Sequence, residues 1–310
     1  MRVYVTVDVE FYPGENPDDE QGTVWRGLGI ILDCARRHGI ALTFFLEALG
    51  ATRWGCGYLT RLGSLLRDRG HDVQLHLHPV AALLDGFDSR LDTLWRHDTG
   101  TQAMMMRMGL DRFARAGLDV PTAFRAGNLA ANEDTLAAMR VTGLRIGSNR
   151  DLDEKSSIES KLNGYFPVRN DVSEREGIVD VPVSALRSRL PWLDGRFRHL
   201  QVCALGFREL RGALLGMHKN GFASACILTH PGEFAGGSRG TAVADAINIR
   251  RLDALFGFLA GWRGGTVDRI SNCAGIPVGG RPAPPELWFN PAWSLVRLTE
   301  QAMKRLGRPR

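Results

Sequence analysis

The chain is poor in several things, and each shortage removes a class of protein. Only four of its 39 basic residues are Lys (Lys155, Lys161, Lys219, Lys304); the rest are Arg. The net charge of +5 is mild, and no dense basic stripe of the kind that binds nucleic acid is present. No apolar run approaches the ~18 residues of a membrane-spanning helix. The longest, Leu255–Trp262, is broken by glycines. Five cysteines (Cys34, Cys56, Cys203, Cys226, Cys273) make an odd count without a CxxC pair, which fits reduced thiols better than a disulfide framework. The opening MRVYVTVDVE has no long apolar region and no small-residue cleavage site, so it does not read as a signal peptide. Reduced thiols and this N-terminus together predict a cytoplasmic protein. There is no GxxxxGK[ST] loop, no GxGxxG after a strand and no GxSxG elbow. That argues against P-loop, dinucleotide-binding and α/β-hydrolase chemistry. Internal repeats are absent too.

What remains is ordinary globular material. With 44% hydrophobic and 24% charged residues in 310, the chain can bury a large core and is not globally disordered. The order of segments is regular. Val3–Val9 alternates as a strand, Val24–His38 has a helical period stopped by Gly39, and Ile40–Leu46 reads as a buried strand. Tyr58–Arg69 is a helix before Gly70, and His71–His78 is a strand blocked by Pro79. The rhythm continues with Leu83–Ala116 (helix), Pro121–Arg125 (strand), Asn132–Val141 (helix) and Leu144–Ser148 (strand). Asn149–Gly177, charged and rich in turns, reads as an excursion over the surface. Ile178–Val183, Phe222–His230 and Gly265–Ile270 follow as strands, with Phe207–Met217 and Thr241–Gly261 as helices. Short strands alternating with helices predict parallel βα units. Seven or eight of them without a linker favour one barrel over 1–275. Residues 276–310 read as a Pro/Gly-rich linker and an amphipathic helix, Pro291–Leu306.

In parallel α/β proteins the chemistry sits after the strands, and four strand ends stand out. Asp8-Val9-Glu10 puts two acids on one face. Two such acids do not both ionise cheaply without a cation or a shared proton. A divalent metal on one would leave the other as a base; the plainer reading is a solvated Glu10 and a capping Asp8. His76-Leu77-His78-Pro79 places two His on one face, a spacing that suits metal ligation, although a buried His is commonly a core residue. Arg125, ending an apolar strand at Phe124-Arg125-Ala126-Gly127-Asn128, needs a carboxylate or a ligand. The backbone after it could form an oxyanion hole; the alternative is a structural ion pair across the barrel mouth. His230, in Ile227-Leu228-Thr229-His230-Pro231, is a candidate general acid or base, or a rim His. Together these are the parts of metal-assisted hydrolysis.

The order of these motifs resembles the polysaccharide deacetylase superfamily (NodB homology domain, carbohydrate esterase family 4 and relatives). VTVDVE (5–10), GHDVQLHLHP (70–79), FRAGNLAANEDTLAAM (124–139) and ILTHPGEF (227–234) stand where that family has its motifs, across residues 1 to about 270. The resemblance implies a distorted (β/α) barrel of about seven parallel strands. It also implies removal of acetyl or formyl groups from amino sugars. Asp8 would then be the base, Glu10 and His76 metal ligands, and Arg125 the residue that orients the base. The backbone at Asn128 would serve the oxyanion and His230 would be the acid. The family's second His, four residues on, would fall at Val80; either His78 is the local substitute ligand or the site has one ligand fewer. Zn2+ is the first expectation, with Co2+, Ni2+ or Mn2+ as alternatives. Asp180 is the nearest candidate to pair with His230. Expected partners are an acylated amino sugar, nucleotide- or lipid-linked, with Trp25, Trp54, Trp95 and Trp192 as candidate stacking residues. No nucleic acid and no transmembrane segment are expected; peripheral membrane contact through the tail and a homodimer stay open. Two other readings stand beside this one: a hydrolase of a non-sugar amide or ureide, and a catalytically weak sugar-binding relative.

Overall fold

A computed structural model describes residues 1–11, 15–82, 92–150, 152, 160–162, 164–190, 197–236, 243–276 and 283–306. The first half alternates strand and helix: β1 (Arg2–Val9), α1 (Thr23–His38), β2 (Thr43–Glu47), α2 (Ala51–Trp54), α3 (Gly57–Asp68) and β3 (Asp72–Leu77). Next come α4 (Thr99–Arg115), β4 (Ala123–Ala126), α5 (Glu133–Thr142) and β5 (Ile146–Gly147). The second half holds β6 (Ser173–Arg175), β7 (Ile178–Asp180), β8 (Ala185–Arg187), β9 (Phe197–His199), α6 (Phe207–Lys219) and β10 (Ser224–Thr229). It ends with β11 (Ala235–Gly236), β12 (Val243–Ala244), α7 (Ala246–Gly261), β13 (Thr266–Val267) and α8 (Pro291–Leu306).

Among the described residues, nine strands form one sheet in the order β10-β1-β2-β3-β4-β5-β7-β6, with β13 beside the start of β1. Every pairing is parallel except β6 with β7. The sheet curls into a half-barrel. Its open side is bridged where Ser184 N–H donates to the Cys226 carbonyl and Leu228 N–H to that of Leu200. This is the distorted (β/α) barrel that the sequence predicts.

Side-chain alternation sorts β1 into two layers. Val3, Val5, Val7 and Val9 join the main core under the helices, while Tyr4 packs inside the barrel with Phe45, Ala123 and Cys226. Asp8 shares the inner parity with Tyr4 and Thr6, and the chain carries that parity on to Glu10. Helix α1 covers this strand with a stripe of Val24, Leu28, Ile31, Leu32 and Ala35. Gly39, left-handed at φ +64°, ends it. Gly27 permits a close approach on the same face: a Cβ there would lie 1.9 Å from the Pro231 carbonyl oxygen. The loop that carries His230 is seated on that contact.

Several predicted boundaries move. The helix expected over Thr241–Gly261 starts at Ala246, because Asp245 caps it by accepting from Asn248 N–H at 3.0 Å. In the span expected as Leu83–Ala116, residues 83–91 lie outside the described residues, and α4 starts after the capping Asp98. Of the span 149–177, expected as a surface excursion, several described residues are instead interior: Asn149, Arg150, Leu162, Phe166 and Ser173 are buried. One of its charges, Arg150, makes an internal ion pair with Asp180 at 2.6 Å. The short antiparallel pair β8–β9 was not expected, although Asp194-Gly195 between the two strands is a turn signal. The described residues from 283 to 306 lie on the barrel. Arg187 N–H donates to Leu287 O, Phe289 N–H donates to Arg187 O, and Arg297 pairs with Glu209 of α6.

Candidate active site

The C-terminal ends of β1, β3, β4 and β10 converge. Parallel register sets His76 beside Arg125 and Val7 beside Thr229, so four separate strand ends meet at one mouth. At its centre Asp8 and Arg125 form a buried ion pair, Oδ1 to Nη1 at 2.6 Å. Arg125 is fully buried and held on every side. Nε donates to the Ser148 carbonyl at 3.2 Å, Nη2 to Ser148 Oγ at 2.7 Å, and the guanidinium stacks 4.3 Å from the Phe45 ring. The second oxygen of Asp8 faces His230 Nε2 at 3.9 Å.

Glu10, His76 and His78 bring one donor atom each within 4.8 Å of one another. His76 Nδ1–H donates to the Arg125 carbonyl at 2.9 Å, since a carbonyl only accepts. The neutral ring then carries its lone pair on Nε2, which lies 2.8 Å from Glu10 Oε1. His78 repeats the arrangement. Its Nδ1–H donates to Asp92 Oδ2 at 2.6 Å, and its buried Nε2 sits 3.2 Å from the same Glu10 oxygen without a hydrogen bond of proper geometry. Two imidazole lone pairs aimed at one carboxylate oxygen are stable only with a proton or a cation between them. The donor set fits a divalent metal, and two His with one carboxylate suits zinc among others. Electrostatics agree. Burial works to raise the Glu10 pKa, but the charge of His78 and the close contacts of both imidazoles hold it well below the usual range. Burial disfavours a His78 cation, yet Glu10 and Asp92 draw its pKa well up.

His230 is oriented by Glu233, Nδ1 to Oε1 at 2.9 Å. Glu233 is itself fixed by Gln201 Nε2 at 2.7 Å, Thr229 Oγ1 at 2.7 Å and Cys203 N–H at 3.2 Å. Burial lowers the His230 pKa, but the Glu233 hydrogen bond and the charge of Asp8 outweigh it and lift it to about 9. Asp180, expected beside His230, is spent on Arg150. Glu233 takes the place because residue i+3 folds back over the turn begun by Pro231.

Asn128 and Leu129 are both left-handed, at φ +55° and +54°, a costly conformation for side-chain-bearing residues that concentrates at functional sites. Asn128 Nδ2 donates to the Asp92 carbonyl at 3.2 Å, so its side chain is engaged with the support of His78. Gly127 has no room for a side chain, because a Cβ would lie 2.5 Å from the His78 ring.

The structure thus brings together Asp8, Glu10, His76, His78, Arg125, Asn128 and His230. Asp92 and Glu233 were missed. Glu233 had a readable signal, its i+3 spacing from His230 in HPGEF; Asp92 stood in a span that looks helical and had none. Of the candidate tryptophans, Trp54 packs edge-on to Phe11 at 6.2 Å, next to Glu10 in the chain. Trp25 donates to the Pro17 carbonyl at 2.8 Å, and Trp95 lies under Lys161 Nζ at 4.9 Å. Trp192 lies outside the described residues.

No protein-family model matches the sequence, and no curated protein matches it either. Solved structures do. A candidate polysaccharide deacetylase from Mycobacterium smegmatis superposes with a TM-score of 0.58 at 13% identity, covering 92% of this chain and 94% of that one. A family 4 carbohydrate esterase from Streptomyces lividans, solved with acetate, gives 0.48 at 15%, over 92% and 98%. A peptidoglycan deacetylase from Bacillus subtilis gives 0.44 at 12%, over 98% and 96%. The fold is that of the polysaccharide deacetylases, the NodB-like barrel that the motif order resembles.

Proposed function

We propose that this protein is a metal-dependent hydrolase that removes a small acyl group, acetyl or formyl, from an amino sugar or a sugar-containing glycan precursor. The observation that carries the reading is Asp8. It is anchored by Arg125 through one oxygen, opens the other toward His230, and stands two residues from a carboxylate that shares its site with two imidazoles.

Glu10, His76 and His78 would hold the metal. When bound, it supplies Lewis-acid polarisation of the acyl oxygen and a water that deprotonates near neutral pH. The chain's own groups do the rest. Asp8 takes the water proton as the water oxygen bonds to the acyl carbon, and Arg125 keeps that carboxylate from swinging away. The backbone of the left-handed turn at Asn128 faces the developing oxyanion. His230, a cation below its raised pKa, gives its proton to the nitrogen as the C–N bond breaks. Carboxylic acid and free amine leave. Leu129, next in sequence to Asn128, and Leu228, two residues before His230, pack with Val183 in a small buried apolar cluster. A net charge of +5, nearly all Arg, suits phosphate-bearing sugars, nucleotide- or lipid-linked. No helix among the described residues is long and apolar enough to cross a membrane.

The deciding experiment is a metal-reconstituted screen for acetate or formate released from nucleotide- and lipid-linked acylamino sugars, run beside cyclic ureides. Release from sugars is expected. Asp8→Asn and His230→Ala should each lower turnover by roughly 10²–10⁴-fold with metal content unchanged, and His76→Ala should lose metal. Turnover confined to ureides, or full activity in all three variants, would sink the reading.

A further inference from the structure

Helix α1 runs from the end of β1 back to the start of β2, so its last turn lies at the end of the barrel away from the mouth. That turn carries Cys34 and His38, four residues apart and therefore on one face. Asp253 of α7 reaches across to both. Its Oδ1 lies 3.0 Å from His38 Nε2 and 3.7 Å from Cys34 Sγ. One ligand atom from each of the three residues falls within 4.8 Å of the others. Gly257, one turn beyond Asp253, leaves the imidazole its place: a Cβ there would lie 3.3 Å from His38 Cε1.

Three different donors meet here: a thiol, an imidazole and a carboxylate. Cys34 is buried in the core beside Ile31 and Ala35, but its sulfur also faces the Asp253 carboxylate. Burial, and after it the charge of Asp253, push the thiol up to about 12, so by itself it keeps its proton. A coordinated thiol loses that proton to solvent. Zinc at ~2.0–2.3 Å from nitrogen, oxygen and sulfur sets neighbouring donors roughly 3.3–3.6 Å apart in a tetrahedron. The two observed separations bracket that range. Arg37 bonds the same Asp253 oxygen at 2.8 Å, from a side chain that is 52% exposed. An exposed pair of this kind contributes little, and the guanidinium is free to move into water.

We propose that Cys34, His38 and Asp253 form a second metal site, for zinc or another divalent cation that accepts sulfur, which clips α1 to α7. Sulfur and imidazole select against magnesium and calcium. His38 and Asp253 reach the surface, so the fourth position opens to water and the metal exchanges with solvent. The clip joins parts of the chain 219 residues apart. A metal held only by the folded chain raises its stability by mass action. The site shares no residue with Glu10, His76 and His78, and it stands whether or not the mouth performs the proposed hydrolysis.

The experiment is titration of the full chain, stripped by a chelator and kept reduced, with Co2+. The mouth cluster of Glu10, His76 and His78 contains no sulfur, so a thiolate-to-cobalt charge-transfer band in the near ultraviolet reports the second site alone. The band is expected in the parent, is expected to persist in His76→Ala/His78→Ala, and should bleach when Zn2+ is added. Cys34→Ser should abolish it. His38→Ala and Asp253→Asn, at positions closer to solvent, should each weaken binding at least about tenfold, the least that even an outer-shell partner costs. In the His76→Ala/His78→Ala background Zn2+ should raise the melting temperature, and adding Cys34→Ser or Asp253→Asn should remove that rise. No band in the parent at a large excess of Co2+ would overturn the proposal. So would a band that survives unchanged in Cys34→Ser, or parental affinity in both His38→Ala and Asp253→Asn.

Discussion

His78 and Asp92 act as one unit: Nδ1 and Oδ2 lie 2.6 Å apart, and the carboxylate fixes which ring nitrogen keeps its lone pair. Asp92 is held in turn by Val80 N–H at 3.3 Å and by Asn128 Nδ2 on its carbonyl at 3.2 Å. Each ring of the His-x-His pair thus has its own support, Asp92 for His78 and the Arg125 carbonyl for His76. Asp92→Ala should weaken metal binding about 10–100-fold, and Asp92→Glu should recover part of it. Competition with a chromophoric chelator measures this without reference to any substrate. Equal affinity in parent and Asp92→Ala would refute the positioning role.

Gly127 tests the same ring by crowding it. No left-handed backbone is required there, so Gly127→Ala acts through its methyl alone, which would sit 2.5 Å from His78. Overpacking of this kind costs about 1–3 kcal/mol. The expected result is a lowered melting temperature together with weaker metal binding. A variant that binds metal like the parent would show that the ring has room to yield.

The Asp8–Arg125 pair predicts a stability effect separate from activity. Arg125→Met leaves a buried carboxylate without its cation, a loss of about 3–5 kcal/mol. Chemical denaturation should show it. In the double variant Asp8→Asn/Arg125→Met the loss should shrink, because no charge is then left unpaired.

His230 sets a limit on pH. Its pKa is raised to about 9, so the protonated form persists through neutrality and is lost above that value. Turnover of the proposed reaction should fall as pH rises through about 9. The stability that the Glu233 contact contributes should be full below the ordinary His range and fade over the same rise. Glu233→Gln removes the anionic partner and should bring the midpoint down toward the ordinary His value of about 6.5. An unchanged alkaline limb in that variant would remove Glu233 from the assignment.

His71 shows the opposite shift. Burial, with Arg269 and Arg69 nearby, pushes its pKa down to about 4, and Nδ1 accepts from Leu42 N–H at 3.2 Å, which needs the neutral ring. The folded protein binds this proton less readily than the unfolded chain. Stability from His71 is therefore present above about 6.5 and lost as pH falls toward 4. An NMR titration should place the His71 midpoint near 4; a midpoint near 6.5 would contradict it.

Much of the site was legible because strands impose a period of two. Asp8 with Glu10 and His76 with His78 could be placed on shared faces from spacing alone, and Arg125 and His230 stood out as polar ends of apolar strands. Glu233 was half legible, three residues from His230. Asp92 was not, because its partner lies fourteen positions back and no local pattern joins them. Asp180 shows the same limit from the other side. A lone acid on a strand looked like a partner for His230, and the fold brought Arg150 to it instead.

The sequence by itself determined the alternation of strands and helices, the faces of the strands and the list of chemical groups, because these follow from local periodicity and residue type. Only the tertiary structure decided who meets whom. Parallel register carries four strand ends to one mouth, two loops supply the carboxylates that orient the imidazoles, and a buried Arg297–Glu209 pair fixes the last helix on α6. Each of these depends on groups far apart in the chain, and nothing local encodes such distances.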